Sequence, residues 1–329
     1  MQSAEERPDP TLQRKAAIAH GAALDHTGRV AVRTIPGFDL GRTIFQTLEG
    51  RLERAVMALR VGKEVDWQDA PAAEVQRAYE EARADHPLPP IDPALLRFMV
   101  EECDFDVEHA DGSFLDHLYF CYEYTAHHYP QGSPVVMLLH SILGTGTNTF
   151  AMEAGKIPDL RALLAHDDWR HIESFPSILR LLYAGTLRSE LRAGLGALDR
   201  IRSIRFHRVI DNEPIELSAE ELWVQLNYQL IHLVDFLPVA NWPAHQSDTS
   251  FIVFRDLHDL LAKAGKLEAE VAYTPASGPK QLSGEDTGVG GWLTTLIPVR
   301  LAEGMAARSV RRFSARIDHD LGYRIDWGG

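Results

Sequence analysis

The chain has 329 residues, 45% hydrophobic and 24% charged, which excludes wholesale disorder and fibrous repeats. Lys and Arg number 33 against 47 Asp and Glu, a formal charge of −14. A surface this acidic repels phosphate backbones and anionic headgroups, so neither nucleic acid nor membrane is expected as a partner.

No apolar run reaches the ~18–20 residues that span a bilayer. The polar, acidic start from Met1 to Pro8 has neither signal-peptide nor transit-peptide character. Cys103 and Cys121 lie outside any CxxC pair and read as buried, reduced thiols of a cytoplasmic protein. The first ten residues read as disordered. Thr11 to Leu24 has a helical pattern, and Arg29 to Ile35 alternates like a short strand ending at Pro36-Gly37. Helical patterns follow over Leu48 to Leu59, Pro71 to Ala84 and Pro93 to Glu102. In the last of these, Asp92 caps and Pro93 takes the first helical position. Pro87-Leu88-Pro89-Pro90 marks a joint.

Apolar periodicity is densest from about Phe98 to Ala240, the expected core. One helix starts after Ser113 as N-cap. Another starts at Ser133-Pro134 and ends at Gly144, a left-handed C-cap. Ile204 to Val209 and Pro214 to Leu217 flank Asp211-Asn212-Glu213 as a small hairpin. Ser218-Ala219-Glu220-Glu221 is a capping box, opening a helix to about Leu237 that is apolar almost all round and therefore buried. A helix over Phe254 to Ala264, a Gly-rich loop from Thr274 to Gly291 and a mildly basic tail from Trp292 complete the chain. The tail reads as a helix folded back onto the body.

Three of these segments carry candidate chemistry. In His109 to Leu118, His117 shares a helical face with Phe114 and Cys121 and points inward, one residue after Asp116. In Ser133 to Thr145, His140 closes a wholly apolar turn beside Ser141. A buried ring there needs a partner for at least one nitrogen: a metal, a carboxylate or a backbone carbonyl. In Tyr228 to Leu237, Asp235 shares a stripe with Val224, Tyr228 and Ile231. A buried carboxylate costs several kcal/mol unless it is paired or coordinates a cation. His232, three residues earlier, is a possible neutral hydrogen-bond partner that would satisfy Asp235 without any metal. His127-His128 at a helix end are explained by the dipole.

His117, then His140 at the end of the apolar run Val136-Met137-Leu138-Leu139 with Gly144 beyond it, then Asp235 on a late helix, resembles the HD-domain superfamily over residues 112–237. Ser141 stands where that family pairs Asp with His, and Gly144-Thr145 where it has Gly-Lys. The chain in this respect resembles a divergent, uncharacterised HD-like branch with a His-Ser-x-x-Gly-Thr pattern. The resemblance implies a divalent metal (Fe, Mn or Zn) held by His117, His140 and Asp235. His166 and His171 are candidates for a second position, against the plainer reading of an exposed helix start. Thr145, Asn148 and Glu173 are possible substrate contacts, equally explained as polar turns. Asp116, Ser141 and His232 would support the ligands.

The expectation is therefore a mainly α protein. An N-terminal helical extension (residues 1–92) precedes an HD-like helical core with a small β-hairpin (93–266), and a linker and C-terminal appendage (267–329) follow. The implied function is metal-dependent hydrolysis of a small polar substrate, a phosphate ester or nucleotide. The alternatives are a di-iron oxygenase and a non-catalytic binding module with a degraded site. Oligomeric state is not legible in the sequence.

Overall fold

The computed structural model describes residues 11–12, 14–15, 22–24, 30–32, 51, 69–103, 108–109, 112–144, 152–235, 248–271 and 296–328. These residues are mainly helical, with a small antiparallel sheet of three strands. The helix expected over 48–59 (Arg51 apart), the loop at Thr145 and Asn148, and the Gly-rich stretch 274–291 lie outside the described residues.

Residues 11–12 and 14–15 are helical. The helical pattern does not continue to Leu24: Ala22–Leu24 (β1) pairs antiparallel with Val30–Val32 (β2). The expected strand around residue 30 draws its partner from the end of what reads alone as a helix. Helix α1 spans Asp69–Arg83 and α2 Pro93–Cys103, where the Ala94 N–H donates to Asp92 Oδ1 at 2.8 Å. A short pair, Glu108–His109 (β3) with Gly112–Ser113 (β4), leads into α3, Phe114–His128.

Helix α4, Pro134–Leu139, is shorter than expected. Its C-cap is His140, still right-handed, and the chain then turns through Ile142 to Gly144, whose φ of 132° is the left-handed stop. Helices α5 (Ile157–Ala162), α6 (His166–Ala184) and α7 (Thr186–Ala193) follow. Gly185 at φ 81° divides the last two, a conformation that costs glycine little. The expected hairpin is β5, Ile201–His207, with β6, Pro214–Ser218. A strand not anticipated from sequence, β7 (Arg324–Trp327), adds to the other edge of β5.

The capping box forms as read: the Glu221 N–H donates to Ser218 Oγ at 3.2 Å and the Ser218 N–H to Glu221 Oε2 at 2.7 Å. It opens α8, Ala219–Val234, with Asp235 as C-cap. Twelve of its residues are buried, as an all-round apolar helix requires. Around it stand α3, α6, β5, β6 and α9 (Thr249–Ala264, capped by Asp248). Helix α10, Val299–Arg316, folds back from the tail onto α6 and α9. The apolar side chains of α3, α4, α6, α8 and α9 make one continuous core. Among the described residues no helix is long and apolar enough to cross a membrane.

Candidate metal centre

The buried face of α3 presents His117 and, one turn on, Cys121; α4 delivers His140 at its C-cap; the last turn of α8 delivers His232. All four are buried, at 1% exposure for His117, 0% for Cys121 and His140, and 8% for His232. The three imidazoles form a triangle of edge-on rings with centroids 4.9, 4.9 and 5.1 Å apart. His117 Nε2 lies 3.0 Å from His140 Nε2, and His232 Nδ1 lies 3.1 Å from the same atom. With Cys121 Sγ, one donor atom from each residue falls within 4.8 Å of every other. The cluster can hold a metal ion.

The outer nitrogens say which protons are present. His140 Nδ1 sits 2.6 Å from the Met137 carbonyl, which can only accept, so that nitrogen carries its hydrogen. His117 Nδ1 sits 2.7 Å from Asp235 Oδ2 and donates to the carboxylate. In the neutral rings the Nε2 atoms of His117 and His140 are then the inward-facing donors, 3.0 Å apart, with His232 Nδ1 beside the second at 3.1 Å. These inward nitrogens are the atoms that would hold a cation. Donors at 2.0–2.1 Å around a tetrahedral zinc stand about 3.3–3.4 Å apart, so the nearest pairs need to open by only a few tenths of an ångström. The residues present fit a borderline divalent ion.

Asp235 is fully buried and lies on the far side of His117, with Lys15 Nζ 3.0 Å from its other oxygen. A carboxylate behind a ligand imidazole fixes the tautomer and raises the basicity of the inward nitrogen. Lys15, itself 1% exposed, belongs to the N-terminal helical residues anchored by Arg14 Nη1 on Glu123 Oε1 at 2.5 Å and by Arg83 on Thr11. Tyr79 also donates to Glu123, and burial followed by that charge pushes its hydroxyl up to about 12. Phe175 of α6 walls the cluster, its ring 4.7 Å from His140 and 5.6 Å from His232. Pro176 follows, and its missing N–H leaves the Ile172 carbonyl without the usual helical donor.

The chain matches no known family model, no curated protein and no solved structure.

The structure thus brings His117 and His140 together and sets Asp235 on His117. His232 turns Nδ1 to His140 Nε2 at 3.1 Å. His166 is exposed at the start of α6. His171 turns Nδ1 to Gln225 Oε1 at 3.1 Å and packs on Tyr228, with burial holding its pKa below the ordinary imidazole value. Glu173 is clamped by Arg170 at 3.0 Å and Arg208 at 2.7 Å. Asp116 is fully buried beside His117, Ser141 is buried and its carbonyl accepts the Gly144 N–H, and Thr145 and Asn148 fall outside the described residues. Three features of this neighbourhood escaped the sequence reading: Lys15, Cys121 as a donor, and His232 as a member of the donor group and not only a supporting residue. The i, i+4 spacing of His117 and Cys121 was the available signal for the thiol; nothing local marks Lys15.

Proposed function

We propose that the protein is a metal-dependent enzyme of HD-like type that acts on a small polar substrate, a phosphate ester foremost. One observation carries the metal: three imidazoles and a thiol, buried in the interior, each offer a donor atom within 4.8 Å of every other. Three neutral imidazoles leave the full charge on a divalent ion, and His117, His140 and His232 are the residues that would hold it. Such an ion supplies Lewis acidity, polarising a phosphoryl or carbonyl oxygen and making water a better nucleophile at neutral pH.

The chain's own residues supply the rest. Asp235 orients His117, and Met137 orients His140 through its carbonyl. Gln225 Nε2 and Gln229 Oε1 lie on the face of α8 that leads to His232, both buried without a hydrogen-bond partner among the described residues. A donor and an acceptor one turn apart are the capacity a polar substrate would use. A single ion is favoured over a di-iron pair, because only one qualifying donor group exists among the described residues and neither His166 nor His171 belongs to it. The phosphate-ester preference follows the HD resemblance of His117, His140 and Asp235.

The test is elemental analysis of protein purified without chelator, followed by assay of phosphomonoesters and phosphodiesters. About one equivalent of zinc, iron or manganese, lost in His140→Ala, with hydrolysis lost alongside it, is expected. Protein that neither retains nor takes up such an ion would sink the proposal, and an ion without hydrolysis would leave the binding module.

A further inference from the structure

The centre has a fourth donor, and its chemistry narrows the metal. Cys121 follows His117 by one turn of α3, is wholly sealed from solvent, and places Sγ within 4.8 Å of all three imidazole donors. Neither cysteine of the chain is in a disulfide. A divalent ion among three neutral rings in a dry interior carries an uncompensated double charge. Asp235 offers little relief, because Lys15 already balances it at 3.0 Å. The remaining group in the cluster that can bring a negative charge is the Cys121 thiol.

Resting on the metal-dependent reading above, we propose that Cys121 binds as a thiolate and makes the centre three nitrogens and one sulfur. When the ion enters, the S–H bond breaks, the metal–sulfur bond forms and one proton leaves to solvent, with no change of oxidation state. Such a donor set takes zinc, ferrous or cobaltous ions and rejects magnesium and calcium, whose ligands are oxygens. Four protein donors also mean that substrate enters by expansion to five ligands, which zinc centres tolerate.

The test reconstitutes the chelated full-length protein with Co(II). Expected are intense visible bands of four-coordinate cobalt and a near-ultraviolet thiolate-to-cobalt charge-transfer band. Cys121→Ser keeps cobalt, loses the near-ultraviolet band, and binds zinc at least ~10–100-fold more weakly, the loss that removing even an outer partner causes; Cys103→Ser keeps the band. X-ray absorption of the zinc-loaded wild type needs no variant and shows one sulfur at about 2.3 Å. Cobalt bound without the sulfur band, a band that survives in Cys121→Ser, or a zinc shell without sulfur overturns the thiolate and leaves the imidazole centre standing. Failure of the wild type to bind either ion overturns both.

Discussion

Lys15 Nζ and Asp235 Oδ1 lie 3.0 Å apart with both side chains at 0% exposure. Neither charge would be stable there alone: breaking a buried pair by removing one partner costs about 3–5 kcal/mol, since the other charge stays behind. Lys15→Met is therefore expected to lose roughly that much stability in the chelated protein, measured by denaturant unfolding. Asp235→Asn in the same chain is expected to restore part of it, because the orphaned charge goes with the substitution. A single-mutant loss under about 1 kcal/mol would mean that the pair is far better solvated than its burial shows. Of this pair the sequence displayed one half. Asp235 stood out as a carboxylate in an apolar stripe; Lys15 sits in an ordinary polar helical pattern and reveals itself only by where it docks.

At the level of elements, periodicity settles which face of a helix turns inward but not which faces meet. His117, Cys121 and His232 were all legible as interior-facing. That His232 meets His140 while His117 meets Asp235 depends on the crossing of α3, α4 and α8, and Lys15 reaches the same carboxylate from the N-terminal helical residues. The sheet shows the same division. Hairpin β5–β6 is local and was legible, whereas β7 joins from the far end of the chain. His319, between α10 and β7, ties these parts together: Nε2–H donates to the His207 carbonyl of β5 at 3.1 Å, and Nδ1 faces Arg180 Nη1 of α6 at 3.4 Å. Burial first, with the Arg180 charge adding to it, lowers its pKa to about 4. Unfolded, the same ring titrates near its ordinary value, so between those pH values the unfolded chain binds a proton that the fold refuses. Stability from this group is full above about pH 6.5 and is lost as pH falls toward 4, a span worth roughly 3 kcal/mol. His319→Gln, which keeps the donor to His207, is expected to flatten the stability–pH slope over that window; equal slopes in the two proteins would refute the assignment.

For the whole molecule, an ion held by α3, α4 and α8 ties the centre of the core together. Binding to the native state alone adds about 4 kcal/mol at a free concentration a thousand times Kd. Chelation is accordingly expected to lower Tm by several degrees in the wild type and to leave the Tm of His140→Ala unmoved, as calorimetry would show. A wild-type Tm indifferent to both chelator and added zinc would argue that the imidazole triangle is only packing. The acidic charge of −14 bears on partners and solubility, not on this centre, which lies inside.

Composition, caps and apolar spacing by themselves determined a mainly helical chain, the hairpin before α8, the burial of α8, and an interior position for His117, His140 and Asp235. These follow from short-range rules: 3.6-residue periodicity, hydroxyl and carboxylate caps, and the cost of burying charge. Only the tertiary structure decided that Ala22–Leu24 pairs as a strand, that β7 completes the sheet, that Lys15 balances Asp235, and that a thiol and a third imidazole close on the same point as His117 and His140. Each of those depends on contacts between segments remote in sequence, where packing of whole faces, rather than the preference of any one residue, selects the partner.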